Sequence, residues 1–589
     1  MGTFKKKLIT LLACLAVCSL MIGSTACAAE IGETPNYAYA KKGQNEQSAA
    51  DEEESTTDET VDNEEETSKE EDVETSDETT SDDSSDDSTK EEIAVADRLG
   101  FDYIVERNEK DEITDEYYVV RGIGSYKGER VRIPESIDGL PVREISAWAF
   151  DKNEDITEII IPESVKVIGK EAFKWCKNLE KVTLPESLES IGEGAFSQCV
   201  SLKEISIPDK VKALADNTFE MCYALENAKL PEKLESIGMN AFLRCLSLKE
   251  IAIPESVTVI EYSAFYHCES LETIDFSNAK KLEKISSKAF LGCRALKSLE
   301  LPESLKKISN KVFAHCESLE SVKIGKNVES IGQYAFAVCV SLTKISVDAD
   351  NSAYKSLDGD LYTKDGEILL QYALGKADES ITIREEVKCI EEAAFANAQN
   401  LTEVIFGEGV KIVEQHAFYG CTKLKKVDCN DALKTIGAYA FAYCNNLESI
   451  TLSNNAISIG IFAFFDIEEF RIFFGGNREE WDFKVHQDIC SGLENGLLYF
   501  YSAEEPTQEG SYWYFKDGKI LVWGEELPEE TPDGETSDEE NPDGETSEEE
   551  NPDVEDGEET PDDEEASDEE NETDSETEND TEEDASANE

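Results

Sequence analysis

Ten cysteines in this chain stand at one fixed place, three residues after a phenylalanine: Cys176, Cys199, Cys222, Cys245, Cys268, Cys293, Cys316, Cys339, Cys421 and Cys444. Such a column could do three kinds of chemistry. In an exported protein it could form disulfides. It could bind zinc, or, beside a histidine, supply a nucleophile. Geometry argues against all three. Equivalent positions of stacked copies project in parallel, about 4.8 Å apart, whereas a disulfide needs Cβ atoms about 3.8 Å apart on crossed directions. Zinc needs four ligands converging as a tetrahedron, not a row. His267 and His315 directly precede Cys268 and Cys316, but sequence neighbours here point opposite ways, one inward and one outward. The column therefore reads as buried thiols capping backbone groups where the chain turns into a strand. Of the other cysteines, Cys14, Cys18 and Cys27 fall near the N-terminus and Cys389, Cys429 and Cys490 are scattered.

Other chemistry is sparse. No G-x-S-x-G, H-E-x-x-H, P-loop or dinucleotide fingerprint occurs. Asp358-Gly359-Asp360 resembles the start of a calcium loop, but the later ligand positions do not follow. Lys364-Asp365-Gly366, between two strand-like runs, signals a hairpin turn. The expectation is a protein with no catalytic residues, no metal site and no cofactor, and not an enzyme.

The elements that carry the column repeat every 23 residues. Phenylalanine marks each copy at 150, 173, 196, 219, 242, 265, 290, 313, 336, 395, 418, 441 and 464. One step is 25 residues, and one is 59, a repeat plus 36 inserted residues. Counting from the phenylalanine, leucine falls at +6 (Leu179, Leu202, Leu225) and aliphatics at +9 and +11 (Val182 and Leu184, Ile205 and Ile207). Alternation by two is strand period. Proline often closes the strand (Pro162, Pro185, Pro208), because it has no N–H for a continuing ladder. Val165 and Ile168 exemplify the next apolar columns, and Gly169, Gly192 and Gly238 then turn the chain. Ala-Phe is read as one short helical turn. One such unit cannot bury its own apolar side; stacked units can. Thirteen rungs at about 4.8 Å make a rod roughly 60 Å long.

Charge divides the rest. The formal net charge is −76. Residues 46–92 hold 23 acids and two lysines (−21), and residues 525–589 hold 35 acids and no base (−35). Neither segment has enough apolar surface to offset its ordering entropy, so both are expected to be disordered spacers. This acidity excludes nucleic acid as a partner. Lys5-Lys6-Lys7, the apolar run Leu8 to Ile22 and Ala26-Cys27-Ala28 read as a secretory signal peptide, 1–28, leaving no transmembrane segment in the mature chain. Ser24-Thr25-Ala26-Cys27 weakly resembles a lipobox without its usual aliphatic residue, and simple cleavage is the favoured reading.

The pattern L-x-x-[IV]-x-[IL] is a leucine-rich repeat signature. With IPESV-x-x-IG-x-x-AF-x-x-C, it resembles the BspA-type leucine-rich repeats of bacterial surface proteins over roughly Val131 to Phe474. The Tyr-rich segment Tyr117 to Gly122, and FFGGNREEW followed by EGSYWYFKDGKILVW, also resemble that family's ends. The expected fold is a leucine-rich repeat solenoid of α/β-type repeats, mostly short parallel β-strands with short helical turns. Its parts are an acidic linker at 29–92, an N-terminal cap hairpin at 93–130, repeats at 131–474 with a hairpin insertion near 348–383, a C-terminal cap at 475–524, and the tail 525–589. The resemblance implies an extracellular protein, secreted or on the cell surface, that adheres to a host matrix or plasma protein or to another bacterium's surface protein. Outward strand positions at +8 and +10 form the expected recognition face: Lys181, Glu204, Lys229, Glu250, Lys344, Glu403 and Lys426. That face carries mixed charge and no aromatic ring over these repeats, which suits a protein partner better than a sugar or a base. A structural spacer or scaffold of the cell surface without a specific ligand is one alternative; an enzyme of unknown type is a second, disfavoured by the missing catalytic constellation.

Overall fold

The computed structural model describes residues 99–455, 458–484, 496–507, 509–516 and 519–525. The expected signal peptide, the acidic linker and nearly all of the acidic tail lie outside the described residues.

Each rung contributes three residues to one parallel ladder. Glu158–Ile160, Lys181–Thr183, Glu204–Ser206, Asn227–Lys229, Glu250–Ala252 and Thr273–Asp275 follow one another as neighbouring strands. The register steps by one repeat, as in Glu204↔Asn227 and Ile205↔Ala228. The inward middle residues, such as Ile205 and Ile251, are buried, and their flanking residues are exposed. This ladder is interrupted twice. It breaks between Thr273–Asp275 and Ser298–Glu300, where the 25-residue step adds two residues, and again at the 36-residue insertion.

A second ladder is built from two-residue strands, among them Val167–Ile168, Ser190–Ile191, Ser236–Ile237 and Val259–Ile260. The glycines that follow these strands do not provide a left-handed turn. They permit close approach: a Cβ on Gly192 would lie 2.6 Å from the Gly169 carbonyl carbon and the Lys170 nitrogen of the preceding rung.

The Ala-Phe segment is not the expected helical turn. In all thirteen copies the residues two before and two after the phenylalanine have positive φ, for example Glu171 (51°) and Trp175 (62°) around Phe173. This alternation turns every second N–H toward the next rung. Trp148 N donates to Lys170 O at 3.0 Å, Phe150 N to Ala172 O at 2.7 Å and Lys152 N to Lys174 O at 2.7 Å. The result is a third hydrogen-bonded wall, whose inter-rung bonds offset the strain of left-handed non-glycine residues, about 1–2 kcal/mol each. The one described helix, Arg478–Lys484, lies beyond the repeats.

Between the walls the phenylalanines stack. Phe150 to Phe336 run as nine rings with centroids 5.0–5.8 Å apart and planes within 19°. A second stack runs from Tyr372 through Phe395, Phe418 and Phe441 to Phe464. Tyr372 comes from the insertion, which is therefore built into the solenoid. Tyr354–Leu357 and Asp360–Thr363 pair antiparallel through Asp358-Gly359, both left-handed. Asp360–Thr363 then pairs antiparallel with Ile368–Gln371, across the expected turn at Lys364-Asp365-Gly366. Ile368–Gln371 joins the second ladder alongside Cys389–Ile390.

At the N-terminal side, Gly100–Arg107 and Ile113–Gly122 form an antiparallel hairpin whose second strand lies parallel to Leu140–Ile145. At the other side the first ladder continues through Phe470–Phe474, Gly496–Tyr501 and Tyr512–Lys516 to the antiparallel Lys519–Val522. The Trp513 indole donates to Phe474 O at 3.0 Å, and Trp523 to Ser502 O at 2.9 Å.

Candidate functional site

The cysteine column is inert by construction. Each of the ten thiols is free and buried. Each donates to the carbonyl oxygen of the phenylalanine in the preceding rung: Cys176 to Phe150, Cys199 to Phe173 and Cys421 to Phe395, each at 3.1 Å. Burial pushes the Cys176 thiol up to about 12, and those of Cys199, Cys245 and Cys293 well above the ordinary thiol range. Thiols held this far from ionisation are poor nucleophiles. The neighbouring histidines do not activate them. His267 turns to Glu269, with Nδ1 3.1 Å from its carboxylate, while Cys268 points inward to Phe242 O. His315 is exposed and Cys316 buried. Cys389, outside the column, is disulfide-bonded. The aspartates that resembled a calcium loop are otherwise engaged. Asp360 pairs with Lys376 at 2.8 Å and accepts from Ala373 N, and Asp358 pairs with Arg384. Among the described residues, no group of three or more His, Cys, Asp or Glu side chains is arranged to hold a metal.

The exposed first ladder is the candidate recognition surface. Lys181, Glu204, Glu250 and Lys344 are exposed at its first outward position, and Lys229 at its second. Glu403 and Lys426 share the first position but are half-buried. The strand register aligns Lys181, Glu204 and Glu250 in one column, Lys344 and then Glu403 and Lys426 hold the same position on the two later segments of the ladder, and some of these charges pair. Lys181 Nζ lies 3.4 Å from Glu158, which Arg130 also contacts at 2.6 Å. Burial works against ionisation of Glu158, but the Arg130 and Lys181 hydrogen bonds outweigh it and hold the carboxyl below its usual range. Lys426 lies 3.0 Å from Glu403 and 2.6 Å from Asp428. Its hydrogen bond holds the Glu403 carboxyl low. Just before each strand, acids and lysines alternate from rung to rung and also pair, as in Lys203–Glu180 at 2.6 Å and Lys249–Glu226 at 2.7 Å. Exposed pairs of this kind stabilise little, but they leave this face with alternating charge instead of a single-sign field.

Sequence reasoning missed two aromatic patches. Where the first ladder leaves the repeats, its outward column becomes aromatic: Phe473 packs on Tyr499 (5.4 Å) and Trp513 (5.9 Å), and Tyr501 on Trp513 (5.1 Å). Leu497, Tyr501 and Phe515 are 52%, 42% and 56% exposed there. Strand alternation in GLLYFY could have revealed this patch. The second lies on the turn wall of the last rungs. His416 stacks on Tyr439 at 5.4 Å, Tyr439 meets Phe462 at 5.1 Å, and Tyr419 meets Tyr443 at 5.1 Å. These side chains sit on or beside the left-handed positions, which the notion of a helical turn concealed.

The BspA type Leucine rich repeat region matches residues 143–272, 236–357 and 374–481, in six copies, together more than half of the chain. Among solved structures, the chain is similar to a leucine-rich repeat protein from Bacteroides ovatus. That match has 23% identity and a TM-score of 0.44, and covers 68% of this chain and 98% of that one. A leucine rich cell surface protein from Faecalibacterium prausnitzii matches at 24% identity and a TM-score of 0.40, over 65% of this chain and 95% of that one. The pneumococcal vaccine antigen PcpA matches at 22% identity and a TM-score of 0.36, over 69% and 93%. No curated protein matches. The repeat pattern, three-walled rungs and family match together establish that the chain belongs to the BspA-type leucine-rich repeat proteins.

Proposed function

We propose that this is an extracellular protein, secreted or held at the cell surface, that binds other proteins through the outward face of its first ladder. The observation that carries this reading is the fixed array of exposed side chains at Lys181, Glu204, Lys229, Glu250 and Lys344, repeated at strand spacing over many rungs. A partner binding such an array does not first have to order it. Glu403 and Lys426 hold the same position on the ladder segment that follows the insertion. Alternating charge selects a partner of matching pattern and sets the rate of encounter more than the affinity. The resemblance to BspA-type proteins supports a host matrix or plasma protein, or a bacterial surface protein, as that partner. Among the described residues, no helix is long and apolar enough to cross a membrane.

One observation favours a second reading, a spacer that displays other surface components. The ladder's lysines are partly satisfied within the rod, as in Lys181–Glu158 and Lys426–Glu403. A pull-down from matrix, plasma and bacterial surface extracts, using the full secreted chain, separates the two. Specific retention supports binding, and retention of nothing supports the spacer.

A further inference from the structure

The insertion holds an ion pair unlike those of the first ladder. Lys376 Nζ lies 2.8 Å from Asp360 Oδ1, and the two side chains are only 15% and 10% exposed. Lys181, in its ladder pair with Glu158, stands in solvent. Asp360 opens the strand Asp360–Thr363, directly after the left-handed Asp358-Gly359 turn. Lys376 follows Tyr372, once that ring has entered the aromatic stack. The backbone on both sides is tied down. Ala373 N donates to the same Asp360 oxygen at 2.9 Å, Gly375 N donates to Leu342 O at 2.8 Å, and Asn400 Nδ2 donates to Lys376 O at 2.8 Å.

An aromatic ring walls this site. Lys376 Nζ lies 4.9 Å from the centroid of the Tyr372 ring. The Tyr372 hydroxyl donates to Asp378 Oδ2 at 3.1 Å, which holds that ring in place. Two opposite charges kept out of water are costly to maintain. Burial pushes the Asp360 carboxyl up, against the hydrogen bonds from Lys376 and Ala373 N, and the charge of Asp378 acts in the same direction as burial. Transfer of one ammonium proton to Asp360 leaves an uncharged amine beside an uncharged carboxyl. The pair is then a nucleophile in contact with an electrophile. Such contact replaces a bimolecular encounter, an advantage of roughly 10⁵–10⁸ M in effective concentration where the reacting atoms align.

We propose that Lys376 and Asp360 condense within the folded chain to an isopeptide bond that fastens the inserted hairpin to the repeat that follows it. Lys376 Nζ attacks Asp360 Cγ, so an N–C bond forms and one Cγ–O bond breaks. The departing oxygen leaves as water, with the transferred proton and a second one from Nζ. One ammonium and one carboxylate become one amide and one water. No oxidant, cofactor or second protein enters the balance. The bond would close a covalent ring at the place where the first ladder is interrupted.

Intact mass and peptide mapping of the full secreted chain, denatured after folding, test this. The chain is expected to be lighter than its processed sequence by one water. Trypsin should leave one branched peptide that joins 356–364 to 365–384, uncut after Lys376. Lys376→Arg keeps an ion pair but supplies no amine, so that variant should show its full mass. Dehydration at Asp358-Gly359 or Asp365-Gly366 would also remove one water, but it yields no branched peptide and persists in Lys376→Arg. A full wild-type mass, ordinary cleavage after Lys376, or a water loss without the branched peptide would each overturn the proposal. Should the variant fail to fold, the wild-type peptide map decides alone.

Discussion

The Cys222 thiol donates to the carbonyl oxygen of Phe196, 26 residues earlier and one rung back, at 3.2 Å. The same oxygen accepts from Cys199 N within its own rung, also at 3.2 Å. The thiol is therefore a second, inter-rung donor to a carbonyl that the turn already satisfies. This explains a cysteine in place of alanine without any reactive role. Where the insertion precedes Phe395, Gln371 Nε2 donates to Tyr372 O at 2.9 Å, and the residue three places after Phe395 is Ala398.

The first expectation concerns strength. Cys222→Ala should destabilise by about 1–2 kcal/mol, through a small void and a lost weak bond, because Phe196 O keeps its backbone donor. Phe219→Ala opens the aromatic stack and should cost roughly 3–5 kcal/mol. Denaturant titration of the two variants checks the order. Thiol counting on denatured, unreduced protein should find all ten column thiols free; most of them missing would sink the packing account.

Alkali should unfold the rod. Burial holds eight column thiols above the ordinary thiol range: Cys176, Cys199, Cys222, Cys245, Cys268, Cys293, Cys316 and Cys444. The unfolded chain loses these protons above about pH 8.5 while the folded chain keeps them, so stability falls as pH rises. Each thiol removes about 1.4 kcal/mol per pH unit in that window. Melting temperature should drop steeply above about pH 9, and replacing four column cysteines by alanine should flatten that slope. An unchanged slope would count against the buried-thiol account.

Two glycine substitutions should act in opposite directions. Arg244 is exposed at φ 56°, so Arg244→Gly relieves left-handed strain and should be neutral or stabilising by up to about 1 kcal/mol. Gly192→Ala drives a Cβ into backbone at 2.6 Å and should destabilise by several kcal/mol, on the order of other overpacked sites. Thermal melts of both variants suffice, and a destabilised Arg244→Gly would show that the turn wall needs its side chains.

Recognition should survive loss of the acidic segments. Removing 46–92 and 525–589 should leave affinity for a captured partner within about tenfold, with a larger change in salt dependence. Lys181→Glu with Lys229→Glu should weaken binding. If the shortened chain loses its partner while the charge-reversed chain keeps it, the spacer reading prevails.

Much of this was legible before any coordinates. Phe173, Leu179 and Val182 recur with one spacing, and periodic burial leaves that trace in any sequence. The thiols' burial followed from the same period and the rung spacing. The turn wall was not legible. Trp175, Met221 and Tyr439 carry no left-handed preference, and their conformation is imposed by neighbouring rungs through hydrogen bonds that no local window contains. Gly192 was visible, but its reason, contact with Gly169, lies one rung away. The contacts of Tyr334 with Glu392 and His416 were hidden because the insertion breaks the count that would have aligned them.

In ten of the thirteen rungs the thiol reaches back one rung, to the phenylalanine carbonyl there. A 23-residue unit thus carries one half of two identical junctions. Copying or deleting a whole unit restores both halves and leaves no donor or acceptor stranded, whereas a partial copy breaks the row. The array can therefore change length in evolution by whole units, lengthening its exposed ladder without redesigning its core. The 25-residue step and the inserted hairpin, where the strand ladder is interrupted, record the less regular events.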